Sequence, residues 1–295
     1  MSNVVPPRPP LSATAVRAAV LASSALYTSV EVVGRTGSTN ADLIAAARDG
    51  AAQGSVLVAE EQTAGRGRLD RSWQSQPGAA LTFSLLLRPS GIAPAARGWL
   101  PLLTGVAVVG AIAAQTGVRA SLKWPNDVLA GGAGLAGSAV PAGSAALAGS
   151  GGGAGKLAGI LAEQAGDAIV VGIGLNVSAS RDELPSDRAT SLWLAGAGSP
   201  DRQAILIAIL REIERWYLSW TGGPVPGDAT ACGLRAAYLS ACSTVSRDVR
   251  VELPGGGVLA GRATGVDTAG CLLVSAADGV HAVSAGDVIH VRPGR

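Results

Sequence analysis

The spacing of apolar and polar residues along the chain changes several times, and each change predicts an element. Val56-Leu57-Val58, Ala80–Leu87 and Ala120–Lys123 are short apolar runs of strand character. Residues 156–163 and 168–177 share that texture and flank Gly166-Asp167, which predicts an antiparallel pair around a tight turn. Residues 27–33, aromatic and β-branched, predict another strand. Elsewhere the period lengthens. Residues 12–24 (with Ser12 as cap), 41–48 and 95–116 predict helices. So does the segment opened by Ser199-Pro200-Asp201, where Leu206, Ile209, Leu210, Ile213, Trp216, Tyr217 and Trp220 recur at helical spacing and are expected in the core. From Val249 onward short strands alternate with Pro254-Gly255-Gly256-Gly257, Thr268-Ala269-Gly270, Asp278-Gly279 and Ala285-Gly286-Asp287, the punctuation of a small barrel. The single histidines of two of these strands, His281 and His290, read as strand residues and not as catalysts or metal ligands.

This pattern divides the chain into an arm and helix (1–29), a large domain (30–244) and a small β domain (245–295). Pro6, Pro7, Pro9 and Pro10 predict an extended or disordered arm without the features of an export signal. Residues 98–118 carry no charge, and a bilayer span needs about 20 apolar residues. Pro101, Thr104, Gln115 and the glycines nevertheless favour a buried core helix, so no membrane partner is expected. Residues 130–155 contain ten Gly and nine Ala among 26 positions and no charge, which predicts a flexible excursion.

Composition narrows the chemistry. A net charge of +2 over 295 residues is no footprint for nucleic acid. Three cysteines, Cys232, Cys242 and Cys271, lack disulfide pairing or metal-ligand spacing and fit a reducing cytoplasm. Of 23 basic residues only Lys123 and Lys156 are lysine, and both sit in short polar motifs. Three of the four asparagines, Asn40, Asn126 and Asn176, do likewise. Ser38-Thr39-Asn40 precedes a helix, where hydroxyls and free amides form a polar wall. After the strand at Val56, Gly65-Arg66-Gly67-Arg68-Leu69-Asp70-Arg71-Ser72-Trp73 brings three arginines into a glycine-loosened loop suited to carboxylate or phosphate. Gly172-Ile173-Gly174 lies inside a strand, so it is no dinucleotide fingerprint; its glycines are expected to let a nucleotide approach the sheet.

Together with Lys123-Trp124-Pro125-Asn126-Asp127, Lys156-Leu157-Ala158-Gly159-Ile160 and Gly172-Ile173-Gly174-Leu175-Asn176-Val177, these motifs resemble those of the biotin protein ligases over roughly residues 30–295. The resemblance implies an α+β fold: a mixed, mainly antiparallel sheet with helices, akin to class II aminoacyl-tRNA synthetases, followed by an SH3-like barrel. It implies ATP-dependent ligation of biotin to a lysine of a biotin carboxyl carrier domain through biotinyl-5'-AMP, with Mg²⁺ riding on the phosphates. Lys156, Arg66, Arg68 and Asp127 would be catalytic. Ser38, Thr39, Asn40, Gln62 and Gly67, with Arg66, Arg68 and Lys156, would bind biotin. Arg71, Trp73, Lys123, Asn126, Asn176, Thr190 and Ser191, again with Arg66 and Arg68, would bind ATP. No protein metal site is expected, and the assembly would be a monomer or weak homodimer.

Two departures from the family stand out: the long 130–155 connection, and Asp70 where glycine is common. About thirty residues precede the first motif, too few for a DNA-binding winged helix, which needs about 60. That disfavours a biotin-sensing regulator; a lipoate ligase, which shares the adenylation logic, is the alternative within the fold. Because doubling a loop's length adds only about 0.6 kcal/mol to its closure, replacing residues 130–155 by a short turn should leave adenylate formation within severalfold of wild type in a pyrophosphate-exchange assay. A folded deletion variant slowed by orders of magnitude would refute this.

Overall fold

The computed structural model describes residues 5–69, 71–131 and 154–291. Asp70 and nearly all of the 130–155 segment lie outside them. Two sheets are present. The larger has seven strands: β1 (Ser29–Thr36), β2 (Ser55–Gln62), β3 (Ala80–Leu87), β4 (Ala120–Lys123), β5 (Asp127–Ala130), β6 (Gly155–Ala165) and β7 (Ala168–Asn176), in the spatial order β1-β2-β3-β7-β6-β5-β4. β1 and β2 are parallel and every other neighbour is antiparallel. The smaller sheet, β8 (Asp248–Glu252), β9 (Val258–Val266), β10 (Leu272–Ala276), β11 (Gly279–Val283) and β12 (Asp287–His290), is ordered β11-β10-β9-β8-β12 and antiparallel throughout.

Side-chain alternation gives the large sheet two different faces. Leu81, Phe83 and Leu85 of β3, with Val171, Ile173 and Leu175 of β7 and Ile160 of β6, point into the main core. There they meet α3 (Trp99–Thr116) and α4 (Arg202–Gly222). The uncharged run around α3 is therefore covered by sheet and helix, as a core helix requires. α3 begins later than its hydrophobic pattern predicts because Pro94–Gly98 forms a 3-10 turn ahead of it. The opposite face carries α2 (Thr39–Arg48), whose Leu43 and Ala47 pack with Leu57, Leu86 and Val170. α2 covers only part of that face, and the remainder is left for a cleft.

Elsewhere the structure adjusts the expected elements. β1 starts at Ser29, not residue 27, because its ladder with β2 begins at the Ser29–Ser55 pair; the buried Tyr27 ahead of it donates its hydroxyl to Leu210 O at 2.7 Å. β5 and α5 (Leu234–Ala241) have no counterpart among the expected elements: β5 directly follows the Trp124-Pro125-Asn126 turn and runs into the Gly- and Ala-rich segment, and α5 is a short helix of eight residues. Ala130 and Gly155 are cross-strand partners, so a shortened connection must start after the one and end before the other. On α4, six of the seven apolar residues expected in the core are buried, while Trp216 is half-buried beneath the Arg215 guanidinium, 4.3 Å from its ring centre.

The arm is extended and fastened. Arg8 makes two bonds to Glu183, at 2.9 and 2.6 Å, and two to Ser178. Buried Arg202 donates to Pro9 O and to Glu60, at the root of the arginine loop. The helix that follows, α1 (Ala13–Leu21), is capped by Ser12 and packs on β1 and α4.

The small domain docks by giving its backbone to two indoles. Trp99 Nε1 donates to Thr268 O at 3.0 Å and Trp124 Nε1 to Gly270 O at 3.1 Å. Thr244 Oγ1 accepts from Trp124 N and lies 3.0 Å from His290 Nε2, a contact that either neutral tautomer of the ring can make. Burial, reinforced by Lys123 and Arg247, pushes the His290 pKa down to about 4. Since the folded pKa lies below the unfolded one, the stabilisation is complete above about pH 6.5 and is lost as pH falls toward 4. Its size should be on the order of 2 kcal/mol, reduced by partial exposure. His290→Gln, which keeps an acceptor for Thr244, should flatten the decline in melting temperature between about pH 7 and pH 5. Equal declines in variant and wild type would overturn this coupling.

Candidate active site

Cross-strand register explains where the cleft lies. Ser84, Gly172 and Leu161 form one row across β3, β7 and β6, and Thr82, Gly174 and Gly159 form the next. Both rows lie on the face bearing α2, beyond its N-terminus. The glycines leave a shelf that other side chains occupy. A Cβ on Gly172 would come 2.1 Å from Asn40 Oδ1, and one on Gly174 would come 2.3 Å from the Trp73 indole. The close approach expected of a nucleotide is thus made by the protein's own Asn40 and Trp73.

At the start of α2, Ser38 caps the helix and Thr39 N donates to Gln62 Oε1 at 2.8 Å. Thr39 Oγ1 contacts Ser84 Oγ at 2.6 Å, and Ser84 donates to Asn40 Oδ1 at 2.6 Å. These buried polar groups satisfy one another and fix the pocket wall.

The arginine loop folds back on itself. Trp73 N donates to Gly65 O at 2.8 Å and Gly67 N to Arg71 O at 2.6 Å, with an antiparallel bridge between Arg66 and Ser72. Gly65 is needed for closeness, since a Cβ there would lie 2.4 Å from Trp73 O. Leu69 turns the loop with a left-handed φ of 54° and is largely exposed. Arg66 Nη1 lies 3.2 Å from Glu163 Oε1, and Arg71 pairs with Asp287 of β12. Arg68 Nη1 instead donates to Asn126 Oδ1 at 3.2 Å and to Gly286 O at 3.5 Å. Burial pulls the Arg68 pKa down, opposed by Asp287 and Asp127.

β5 and β6 complete the wall. Asn126 is pinned by its Nδ2 bond to Ile160 O at 3.1 Å. Lys156 Nζ lies 2.7 Å from Asp127 Oδ1. The cleft enclosed by these elements has about 770 Å³ of empty space, counted to its open mouth. Of its four cations, Arg66, Arg71 and Lys156 are each matched to a carboxylate, whereas the described hydrogen bonds of Arg68 go to neutral oxygens.

The segment 35–178 matches the model of the Biotin/lipoate A/B protein ligase family, and residues 247–291 match that of the Biotin protein ligase C terminal domain. A biotin--[acetyl-CoA-carboxylase] ligase of Mycobacterium tuberculosis is 39% identical over 97% of both chains. The chain belongs to the biotin protein ligase family. The bifunctional ligase/repressor BirA of Bacillus spizizenii is 32% identical, covering 82% of this chain and 68% of that protein. Among solved structures, the Aquifex aeolicus biotin protein ligase in complex with biotin and ATP superposes with a TM-score of 0.68 at 27% identity, covering 90% of this chain and all of that one. The mixed, mainly antiparallel sheet and the five-stranded SH3-like C-terminal domain are those of this family.

Of the residues singled out in the sequence, Ser38, Thr39, Asn40, Gln62, Arg66, Gly67, Arg68, Arg71, Trp73, Asn126, Asp127 and Lys156 all line this biotin-ligase cleft. Lys123, Asn176, Thr190 and Ser191 stand behind it. Lys123 is the cross-strand partner of Asp127, its pKa lowered chiefly by burial. Asn176 Nδ2 donates to Thr190 O, Thr190 N to Lys156 O, and Ser191 Oγ to Ala179 O. Sequence reasoning passed over Glu163 and Asp287. Glu163 lies near the far end of the strand that carries Lys156, and Asp287 reads in the sequence only as turn punctuation. Neither has a local signal, because each acquires its partner across the fold.

Gly172→Ala should drive Asn40 off Ser84 and destabilise the protein by about 1–3 kcal/mol, measured by urea denaturation. Gly34→Ala, whose new Cβ meets nothing within 4 Å, should change far less. Equal midpoints for the two variants would contradict the packing argument.

Proposed function

We infer that this chain ligates biotin to a lysine of a biotin carboxyl carrier domain, using ATP and passing through biotinyl-5'-AMP. The biotin carboxylate attacks the α-phosphorus of ATP, forming a P–O bond as the bond to pyrophosphate breaks. The amine of the acceptor lysine then attacks the acyl carbon, AMP departs and the amine loses a proton. Both steps ask a site to align charged reactants and offset their repulsion, and neither needs a covalent enzyme intermediate.

The observation that best supports this is the position of Arg68. It is partly buried in a cleft floored by glycines, and its guanidinium is held by neutral oxygens that leave its charge for an anion. We assign Arg68 to the phosphate and carboxylate oxygens, with Lys156 exchanging Asp127 for the biotin carboxylate. Thr39, Gln62 and Asn40 form the polar end for the biotin ring. Asn126 and Trp73 frame the nucleotide, the Trp73 Nε1 being buried without a described partner. Thr190 acts by holding the Lys156 backbone and Asn176 by holding Thr190, Ser191 fixes the same segment to Ala179, and Asp127 is released to meet the incoming lysine.

Mg²⁺ would accompany ATP, but the described residues build no seat for it. No three His, Cys, Asp or Glu side chains among them converge, and Asp127 and Asp287 are each engaged by a cation. Phosphates and water would hold the ion. The three cysteines are free, so we place the enzyme in a reducing cytoplasm.

Pyrophosphate exchange into ATP should depend on biotin and not on lipoate; the reverse would overturn the substrate assignment. Lys156→Ala should lose about 2–3 kcal/mol of charge-assisted bonding, seen as a roughly 30- to 150-fold fall in kcat/KM for biotin. Unchanged kinetics at subsaturating biotin would remove Lys156 from the site.

A further inference from the structure

Glu163 lies on β6 just past Leu161, the last residue of that strand to line the cleft. Its carboxylate is shared between two elements that both enclose the ligand. Oε2 accepts from Asn40 Nδ2 at 2.8 Å, and Oε1 faces Arg66 Nη1 at 3.2 Å. Asn40 is 4% exposed and fixed by Ser84 and the Leu161 carbonyl, so the carboxylate has a rigid anchor on one side. On the other it holds a guanidinium that is 53% exposed, on a loop joined to β2 at one end. One side is built and the other is free to leave.

We propose that Glu163 is a positioning residue that latches the arginine loop over the cleft through Arg66, thereby setting how long the activated intermediate stays bound. This rests on the adenylation reading above. A half-exposed ion pair biases an equilibrium by only a few-fold, which suits a contact that must open for every substrate and every acceptor lysine. It also gives Arg66 a task separate from that of Arg68. Arg66 is already neutralised by Glu163, so its loss should be felt in retention more than in the formation of the anhydride.

The test uses Glu163→Gln in the full-length chain. Glutamine keeps an oxygen for Asn40 and discards the charge facing Arg66. Adenylate formed on the enzyme should escape about 2- to 5-fold faster than from wild type, captured as the hydroxamate with hydroxylamine. Biotin-dependent pyrophosphate exchange at saturating substrates should stay within about twofold. Raising NaCl from about 50 to about 500 mM should speed escape from wild type more than from the variant, in which only the Arg71–Asp287 pair of the loop remains for salt to screen. In an Arg66→Ala background, Glu163→Gln should add nothing. Unaltered escape, or additive effects in the double variant, would overturn the latch; the second result would mean that Glu163 acts through Asn40 alone. Should the variant not fold, the salt dependence of wild-type escape decides, and its absence overturns the latch. If wild type shows no biotin-dependent exchange, the functional reading fails instead, and this measurement separates the two failures.

Discussion

Mutual repulsion among cations is the constraint around which this site is built. Arg66, Arg68, Arg71 and Lys156 line one part-exposed cleft, and gathering like charges there is unfavourable unless opposite charges answer them, most of all beside the part-buried Arg68. The answer comes from three separate places. Asp127 follows the Trp124-Pro125-Asn126 turn, Glu163 lies within β6, and Asp287 opens the last described strand of the small domain. Because the described hydrogen bonds of Arg68 go to neutral oxygens, and the nearby Asp127 and Asp287 are paired with Lys156 and Arg71, the cleft keeps one cation in excess for an anionic ligand.

The same arrangement explains why the small domain is held so firmly. Its Asp287 and Gly286 reach the arginine loop, so a loose domain would leave Arg71 and Arg68 unplaced. Trp99 and Trp124 hold it by indole N–H bonds to backbone carbonyls, and His290 reaches Trp124 through Thr244. Trp124 stands in the motif that also supplies Asn126 and Asp127. Docking and active-site geometry therefore share one turn of backbone, and disturbance of one should be felt in the other.

A comparable economy governs the glycines. In a sheet core each glycine gives up side-chain packing, yet β6 and β7 place Gly159, Gly172 and Gly174 on one face. Asn40 and Trp73 rest on the bare backbone, one fixed by a hydrogen-bond network, the other part of a loop that folds back on itself. The shelf is thus specified by sterics, with conformational freedom playing little part.

Much of this was legible in the residues themselves. Runs such as Ala80–Leu87 and Ala120–Lys123 gave their strands, because side-chain period and burial are local consequences of backbone geometry. Of the lysines and asparagines concentrated in motifs, Lys156, Asn40 and Asn126 line the cleft, while Lys123 and Asn176 stand behind it. Partnership was not legible. That Arg71 meets Asp287, 216 residues away, or that Glu163 divides itself between Asn40 and Arg66, depends on strand register and domain docking. Nor did sequence show that Gly172 and Gly174 serve Asn40 and Trp73. Local pattern determined which residues carry charge and which are bare; tertiary structure decided which charge each one faces, since electrostatic partners are chosen by proximity in space, and proximity is set by the packing of elements far apart in the chain.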